Sequence, residues 1–232
     1  MPPYQKLKTM LNTKVIWLSH VLDTNTPLFA GQKGIEITPE KSICKGDSCN
    51  TVKLTLSNHA GTHVDAPKHF LKNGETIDAY SAQDWVFQCP QLLKVKCRQA
   101  DIIDSSFLQG IESLDSNMDL LFFKTGYEQY RQEEIYWSRS PGFSPELADF
   151  LHKKFPKLKA VGMDCLSLTS FCHRELGREA HKAFLSKGLR IFEDVSLQEF
   201  NNNVLLVVAL PLRFVAGDGA PCTLIGWIEE VE

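Results

Sequence analysis

Short β-type runs dominate the hydrophobic pattern of this chain, with few helical stretches between them. Extended segments are predicted over 15–19, 52–57, 92–97, 120–124, 160–163, 189–193, 204–210 and 223–228, each apolar or alternating and bounded by turn-forming residues. One helix is predicted to begin at Ser144-Pro145-Glu146, where serine can cap, proline suits the first turn and glutamate complements the dipole. It runs to about Lys154, ahead of Pro156. A second spans about 178–187 and stops at Gly188, a residue suited to the left-handed position after a helix. Strands outnumber helices and their spacing is irregular. The expected architecture is therefore α/β with a mixed β-sheet and few helices, not a regular doubly wound sheet.

Composition changes this picture little. At 232 residues, 43% hydrophobic and 23% charged, the chain can bury a sizeable core without disulfide or metal staples. No repeat, low-complexity tract or linker interrupts it, so a single domain over 1–232 is expected. The formal net charge of −3 removes the usual electrostatic reason to expect a nucleic-acid partner. The longest apolar run, 204–212, is far too short to cross a bilayer, so no membrane partner is expected. Residues 1–14 lack the apolar core of a signal peptide. The 7 cysteines form no C-x-x-C pair, and free thiols in a reducing cytoplasm are the expectation.

Chemistry concentrates in two places. The first runs from Ser57 to Phe70 and holds His59, His63, Asp65 and His69. In the preceding strand Val52, Leu54 and Leu56 share one face, while Lys53, Thr55 and Ser57 share the other. Continued extension would place His59, His63 and Asp65 on that polar face. Neutral imidazole and carboxylate suit zinc, manganese or iron at an open catalytic site. Gly61 removes a side chain where backbone would pass close to an ion, and Pro67 fixes the turn that presents His69. His59 and His63 are also four apart, as on an ordinary surface helix, but Gly61 and Pro67 count against a helix here.

The second place is 178–197. Leu189, Ile191, Val195 and Leu197 fall on one strand face, and Glu193 sits among them. A carboxylate facing an apolar core costs several kcal/mol unless a cation or donors compensate it. The alternative is a strand end at which Glu193 reaches water. His181, on the helix feeding this strand, is placed to share the site or to lie on the surface.

These residues resemble a known family. His59-Ala60-Gly61-Thr62-His63-Val64-Asp65-Ala66-Pro67-Lys68-His69-Phe70 looks like the H-x-G-T-H-x-D-x-P-x-H-F motif of the cyclase family of metal-dependent hydrolases, which includes bacterial kynurenine formamidases and isatin hydrolases. Weaker matches are Leu18-Ser19-His20, Thr125-Gly126, Gly162-Met163-Asp164 with Ser167, His181 with Glu193, and Ala209-Leu210-Pro211-Leu212. The resemblance implies a swivelling β/β/α fold and a homo-oligomer, dimer or tetramer. It also implies one or two divalent ions, zinc first and manganese second. His59, His63 and Asp65 would hold one ion; Asp65, His69 and Glu193 would hold a second; His181 would be the acid/base group, a role also open to His69. The substrate would be a small linear or cyclic amide, with Phe29, Trp85 and Tyr127 as candidate walls for an aromatic group.

Three segments depart from the family pattern. Pro27-Leu28-Phe29-Ala30-Gly31 stands where Pro-x-aromatic-Pro-Gly is common, and Lys124-Thr125-Gly126-Tyr127 where Arg-Thr-Gly-Trp is common. The loop at 41–50, with Cys44 and Cys49, matches no part of the family pattern. Hydrolysis is thus better specified than any substrate. Metal-dependent ring closure or dehydration, and metal binding without catalysis, remain as rival readings.

Overall fold

The computed structural model describes residues 13–200 and 204–229. Its strands, in chain order, are β1 (Thr13–Trp17), β2 (Glu36–Lys41), β3 (Thr51–Thr55), β4 (His63–Asp65), β5 (Val86–Phe87), β6 (Pro90–Lys94) and β7 (Ile102–Ile103). They continue with β8 (Leu120–Lys124), β9 (Gly142–Phe143), β10 (Ala160–Met163), β11 (Arg190–Glu193), β12 (Val204–Pro211) and β13 (Gly219–Glu229). Three α-helices are described: α1 (Glu134–Ser138), α2 (Glu146–Lys154) and α3 (Arg174–Ser186).

All eight predicted strands form, with ends displaced by up to four residues. Both predicted helices form too. No side-chain oxygen caps α2, whose Pro145 already has helical angles. The second predicted helix starts earlier than expected, at Arg174, and ends before Gly188, which takes φ +73°. Gly177 sits inside it because a Cβ there would lie 2.3 Å from the Thr169 hydroxyl.

Nine strands make one mixed sheet in the order β5-β12-β13-β4-β11-β10-β8-β6, with β1 added on β13. From β11 to β6 the neighbours are parallel; from β5 to β11 they are antiparallel. The sheet curls until β12 touches β6, which brings the structure close to a barrel. Strand alternation divides the core in two. Leu121, Phe123, Val161, Met163 and Ile191 meet α2 and α3 through Leu147, Leu151, Ala180 and Phe184. Leu120, Phe122, Val64 and Phe192 point the other way, into the curl, against Val207, Ala209 and Leu224. Each large apolar side chain buried in this way stabilises the fold by about 1.5–3 kcal/mol.

The site follows from register. Glu193 pairs with His63, and Ile191 with Asp65, across β11 and β4. Val64 and Phe192 face the curl, so His63, Asp65 and Glu193 share the opposite face, beneath α3. β2 and β3 stand apart as an exposed hairpin, and the unassigned 41–50 loop is its tip.

Candidate metal centre

The chain reaches β4 through a turn, not through the continuous extension expected from 52 to 65. β3 ends at Thr55, and Gly61 takes φ +63°, where a Cβ would lie 2.3 Å from Leu22 Cδ2. The strand parity argument therefore holds for His63 and Asp65 but not for His59, which arrives from the turn. Its ring lies over Gly219, where a Cβ would sit 2.3 Å from His59 Cε1. Thr62 fixes the approach: its hydroxyl donates to the Asp194 carbonyl at 2.5 Å and accepts the His20 N–H at 2.9 Å.

The carboxylates of Asp65 and Glu193 are 1% and 4% exposed; three imidazoles, His59, His63 and His181, contact them, and His69 shares a donor set with Asp65. His63 Nε2 lies 3.4 Å from Glu193 Oε2 and 3.6 Å from Asp65 Oδ1. His181 Nε2 lies 3.2 Å from Glu193 Oε1 and 3.5 Å from Asp65 Oδ2. The His59 ring bridges Asp65 Oδ1 (2.8 Å) and Asp218 Oδ2 (3.1 Å). It stacks on His69 at 4.0 Å between centroids, and His69 Nδ1 lies 2.9 Å from the same Asp218 oxygen. Two sets of donor atoms, His59/Asp65/His69 and His63/Asp65/Glu193, each fall within 4.8 Å of one another.

Hydrogen bonding sets the tautomers. A carbonyl can only accept, so His63 Nδ1–H donates to Gly61 O (2.8 Å) and His181 Nδ1–H to Gly177 O (2.9 Å). Each leaves Nε2 turned to the carboxylates, the arrangement of metal-ligating imidazoles. Glu193 Oε1 accepts from Ser167 Oγ (2.9 Å) and Leu168 N (2.6 Å), which fixes its plane. Asp65 Oδ2, by contrast, is buried without a hydrogen-bond partner.

Without a cation, protons do the compensating. Burial opposes charge on His63, but Glu193 and Asp65 override it and raise the pKa to about 9. The same balance, through Asp65 and Glu193, raises His181 to about 10. Burial would raise Glu193, and the Asp65 charge adds to that, yet His181 and His63 hold it down at about 2. Asp65 is likewise held well below the carboxylate range, against its burial, by His181 and His59. An orphaned buried oxygen, paired carboxylates and imidazole Nε2 atoms facing inward fit a divalent cation, and nitrogen and oxygen donors without thiolate fit zinc or manganese.

These groups floor a cleft of about 270 Å³ walled by Phe29, Phe70, Thr169, Arg174 and Arg178. Of the three candidate aromatic walls, Phe29 lines this cleft, and Trp85 and Tyr127 are not among its lining residues. Trp85 is 5% exposed, packed against Tyr80 and beneath the Arg190 guanidinium; Tyr127 is 4% exposed, against Tyr130 in the helix-side core. Both satisfy the core before any ligand.

Three participants were not read from the sequence. Asp218 joins His59 to His69 and accepts from Asn58 Nδ2 at 2.7 Å. Gly219 makes room for the His59 ring. Asp194, next to Glu193, is fully buried with φ +51° and is held by Arg131 and Tyr136. The only sequence cue was the Gly217-Asp218-Gly219 triplet, which reads as a turn.

The chain is similar over most of its length to known proteins. The kynurenine formamidase of Bacillus cereus is 28% identical over 218 residues, spanning 91% of this chain and 96% of that protein. The kynurenine formamidase of Erythrobacter litoralis is 26% identical over 212 residues, 90% and 92% of the two chains. Among solved structures, isatin hydrolase A from Labrenzia aggregata, bound to benzyl benzoate, superposes with a TM-score of 0.82. At 20% identity over 99% of this chain and 100% of that one, it is a likeness of fold. Residues 16–170 match the sequence model of the Cyclase family, described as "Putative cyclase". With that match covering about two thirds of its length, this chain belongs to the cyclase family.

Proposed function

We propose that this chain is a metal-dependent hydrolase that cleaves the C–N bond of a small linear or cyclic amide. The observation that carries the reading is the buried Asp65–Glu193 pair, with its orphaned Oδ2 and ring of imidazoles at the floor of a cleft. Similarity to kynurenine formamidases over nine tenths of the chain supports an aryl formamide as the substrate type.

Asp65 would be the ligand common to both donor sets. His63, Glu193 and His181 complete one donor set around it, and His59 with His69 offers a second, so one ion or two is accommodated. A divalent ion there, zinc first and manganese second, supplies a Lewis acid for the carbonyl and brings the pKa of water down to about 7. The geometry favours His69 over His181 for proton transfer. His181 is 3% exposed and its Nε2 is turned to both carboxylates, as a ligand would be. His69 lines the cleft, and Asp218 holds its Nδ1–H; with a single ion bound at the His63/Glu193 set, its Nε2 is left to exchange a proton with water or the leaving nitrogen. Phe29 and Phe70 exclude water and offer apolar faces to an aryl group.

A homo-oligomer and a cytoplasmic location complete the reading. The hairpin of β2 and β3 supports the first: Ile37 pairs with Leu54 and Pro39 with Val52, and these apolar residues are uncovered on one face. A two-stranded hairpin is marginal alone in water, and a second copy would cover it. Replacing His63 or Asp65 by alanine tests the central claim. The variants should lose bound metal by elemental analysis, together with whatever hydrolysis of N-formylkynurenine and of isatin the wild-type protein shows. Full metal content with full activity would overturn it. A substrate panel with and without chelator separates hydrolysis from ring closure, dehydration and mere binding.

A further inference from the structure

Along α3, Arg174, Arg178 and His181 are spaced by four and three residues and so lie on one stripe of the helix. His181 faces the Asp65–Glu193 pair, while both arginines line the wall of the same cleft. With a rise of about 1.5 Å per residue, the backbone of Arg178 stands about 4.5 Å, and that of Arg174 about 10.5 Å, from His181 along the helix axis. Two arginines thus stand on the cleft wall above the Asp65–Glu193 pair.

No carboxylate lining the cleft pairs with either arginine. The only carboxylate among the lining residues is Glu193, already held by Ser167, Leu168, His63 and His181. Arg178 pairs with Glu175 three residues earlier, an exposed contact that contributes little and exchanges readily. Among the described residues Arg174 has no carboxylate partner. Its guanidinium lies 5.8 Å from the ring centroids of both Phe29 and Phe171. Phe171 is in turn braced edge-on by Trp137, at 5.5 Å. The guanidinium is thus within cation–π range of two rings, and with no carboxylate paired to it the fork is available for two-point binding of one.

We infer that Arg174, assisted by Arg178, is the specificity-determining anchor for a carboxylate on the substrate. The substrate class is an aryl amide that carries an anionic group several ångströms from the scissile bond. The aryl portion then lies between Phe29 and Phe70 while the amide reaches the floor. This rests on the amide-hydrolase reading and narrows it: N-formylkynurenine, with its free carboxylate, fits the class, and neutral isatin does not.

N-formylkynurenine and its methyl ester isolate the carboxylate from the rest of the molecule. The wild-type protein loaded with metal should prefer the free acid by at least tenfold in kcat/KM. R174M keeps the apolar stem on Phe29 and Phe171 but removes the charge; it should cut that preference below twofold, mainly through KM. R174K should recover part of it, as a charge without the fork. A wild-type protein indifferent to esterification, or an R174M variant with undiminished preference, would overturn the anchor. Calorimetric binding of kynurenine and kynurenine methyl ester separates this inference from the one beneath it. If neither amide is cleaved, the hydrolase reading fails, yet tighter wild-type binding of the free acid that R174M abolishes still supports the anchor. Equal binding of acid and ester refutes it.

Discussion

Arg131→Ala probes how the metal-ligand strand is braced. Asp194 follows Glu193 directly and holds φ +51°, a left-handed conformation that costs a residue with a Cβ about 1–2 kcal/mol. Its carboxylate has no exposure and takes two bonds from Arg131, at 2.8 and 2.7 Å, and one from the Tyr136 hydroxyl at 2.6 Å. Its backbone N–H donates to Cys165 O and its carbonyl accepts from Thr62, so this residue joins the ends of β10 and β11 to the turn before His63. Removing Arg131 leaves a buried carboxylate with Tyr136 alone, and losing one partner of a buried pair costs about 3–5 kcal/mol. In a chain of this size, that corresponds to a drop of roughly 6–20 °C in Tm. The control is Lys14→Ala, which breaks an exposed pair with Glu199 (side chains 52% and 60% exposed) and should change stability by less than about 1 kcal/mol. Urea denaturation of the metal-free protein reads both. If the loss reflects an uncompensated charge, Asp194→Asn added to Arg131→Met should restore most of it, since asparagine tolerates positive φ. A loss below that of the Lys14 control, or a double variant no better than Arg131→Ala, would refute the reasoning.

Three further outcomes follow from the site. Asp218→Asn should lower kcat for N-formylkynurenine about 10–100-fold with metal still bound, because the amide no longer holds the His69 ring as a carboxylate does; unaltered kcat would remove His69 from proton transfer. Gly219→Ala should weaken metal binding at least tenfold by competitive chelation, since its Cβ would lie 2.3 Å from His59 Cε1; unchanged affinity would show that His59 is not a ligand. In the metal-free protein, His63 and His181 have folded pKa values raised to about 9 and about 10, so their stabilisation is complete below the unfolded value near 6.5 and is lost as pH rises through 9 to 10. The His63 shift alone is worth about 3 kcal/mol by the relation of 1.36 kcal/mol per pKa unit. Urea midpoints should fall between pH 7 and 10.5, and a flat profile would contradict the ion-pair cluster.

The strands legible in the sequence were mainly those that bury at least one face. β8 and β10 match the sequence expectation to the residue because their runs are apolar on both sides, with helices covering one side and the curled sheet the other. The strands that escaped lack one signal or the other. β4, β5, β7 and β9 are two or three residues long, too short to carry a period. β2 is exposed throughout and contains Pro39. α3 began four residues before its predicted start because Gly177 reads locally as a breaker, while its actual role is to let Thr169 and the helix meet. The division of the sheet into parallel and antiparallel halves left no local trace, since pairing partners are chosen by tertiary packing.

The candidate site shows the same boundary at the level of single residues. His63, Asp65 and Glu193 were legible because strand parity is a local property that register preserves. His59 was named from a parity that the Gly61 turn breaks, and it reaches Asp65 only because the chain doubles back. Asp218 was illegible for a stronger reason. On its own it is an acidic residue between two glycines; it meets His59 and His69 only because β13 pairs with β4 and sets Gly219 opposite Asp65. The residues that hold the ligands in place, Asp218 from one neighbouring strand and Asp194 with Arg131 from beyond the other, therefore depend on contacts more than 60 residues apart in sequence. Variation at those positions would alter the geometry of the centre while leaving the recognisable motif intact, so the motif alone specifies where a cation would sit and not how firmly it would be held.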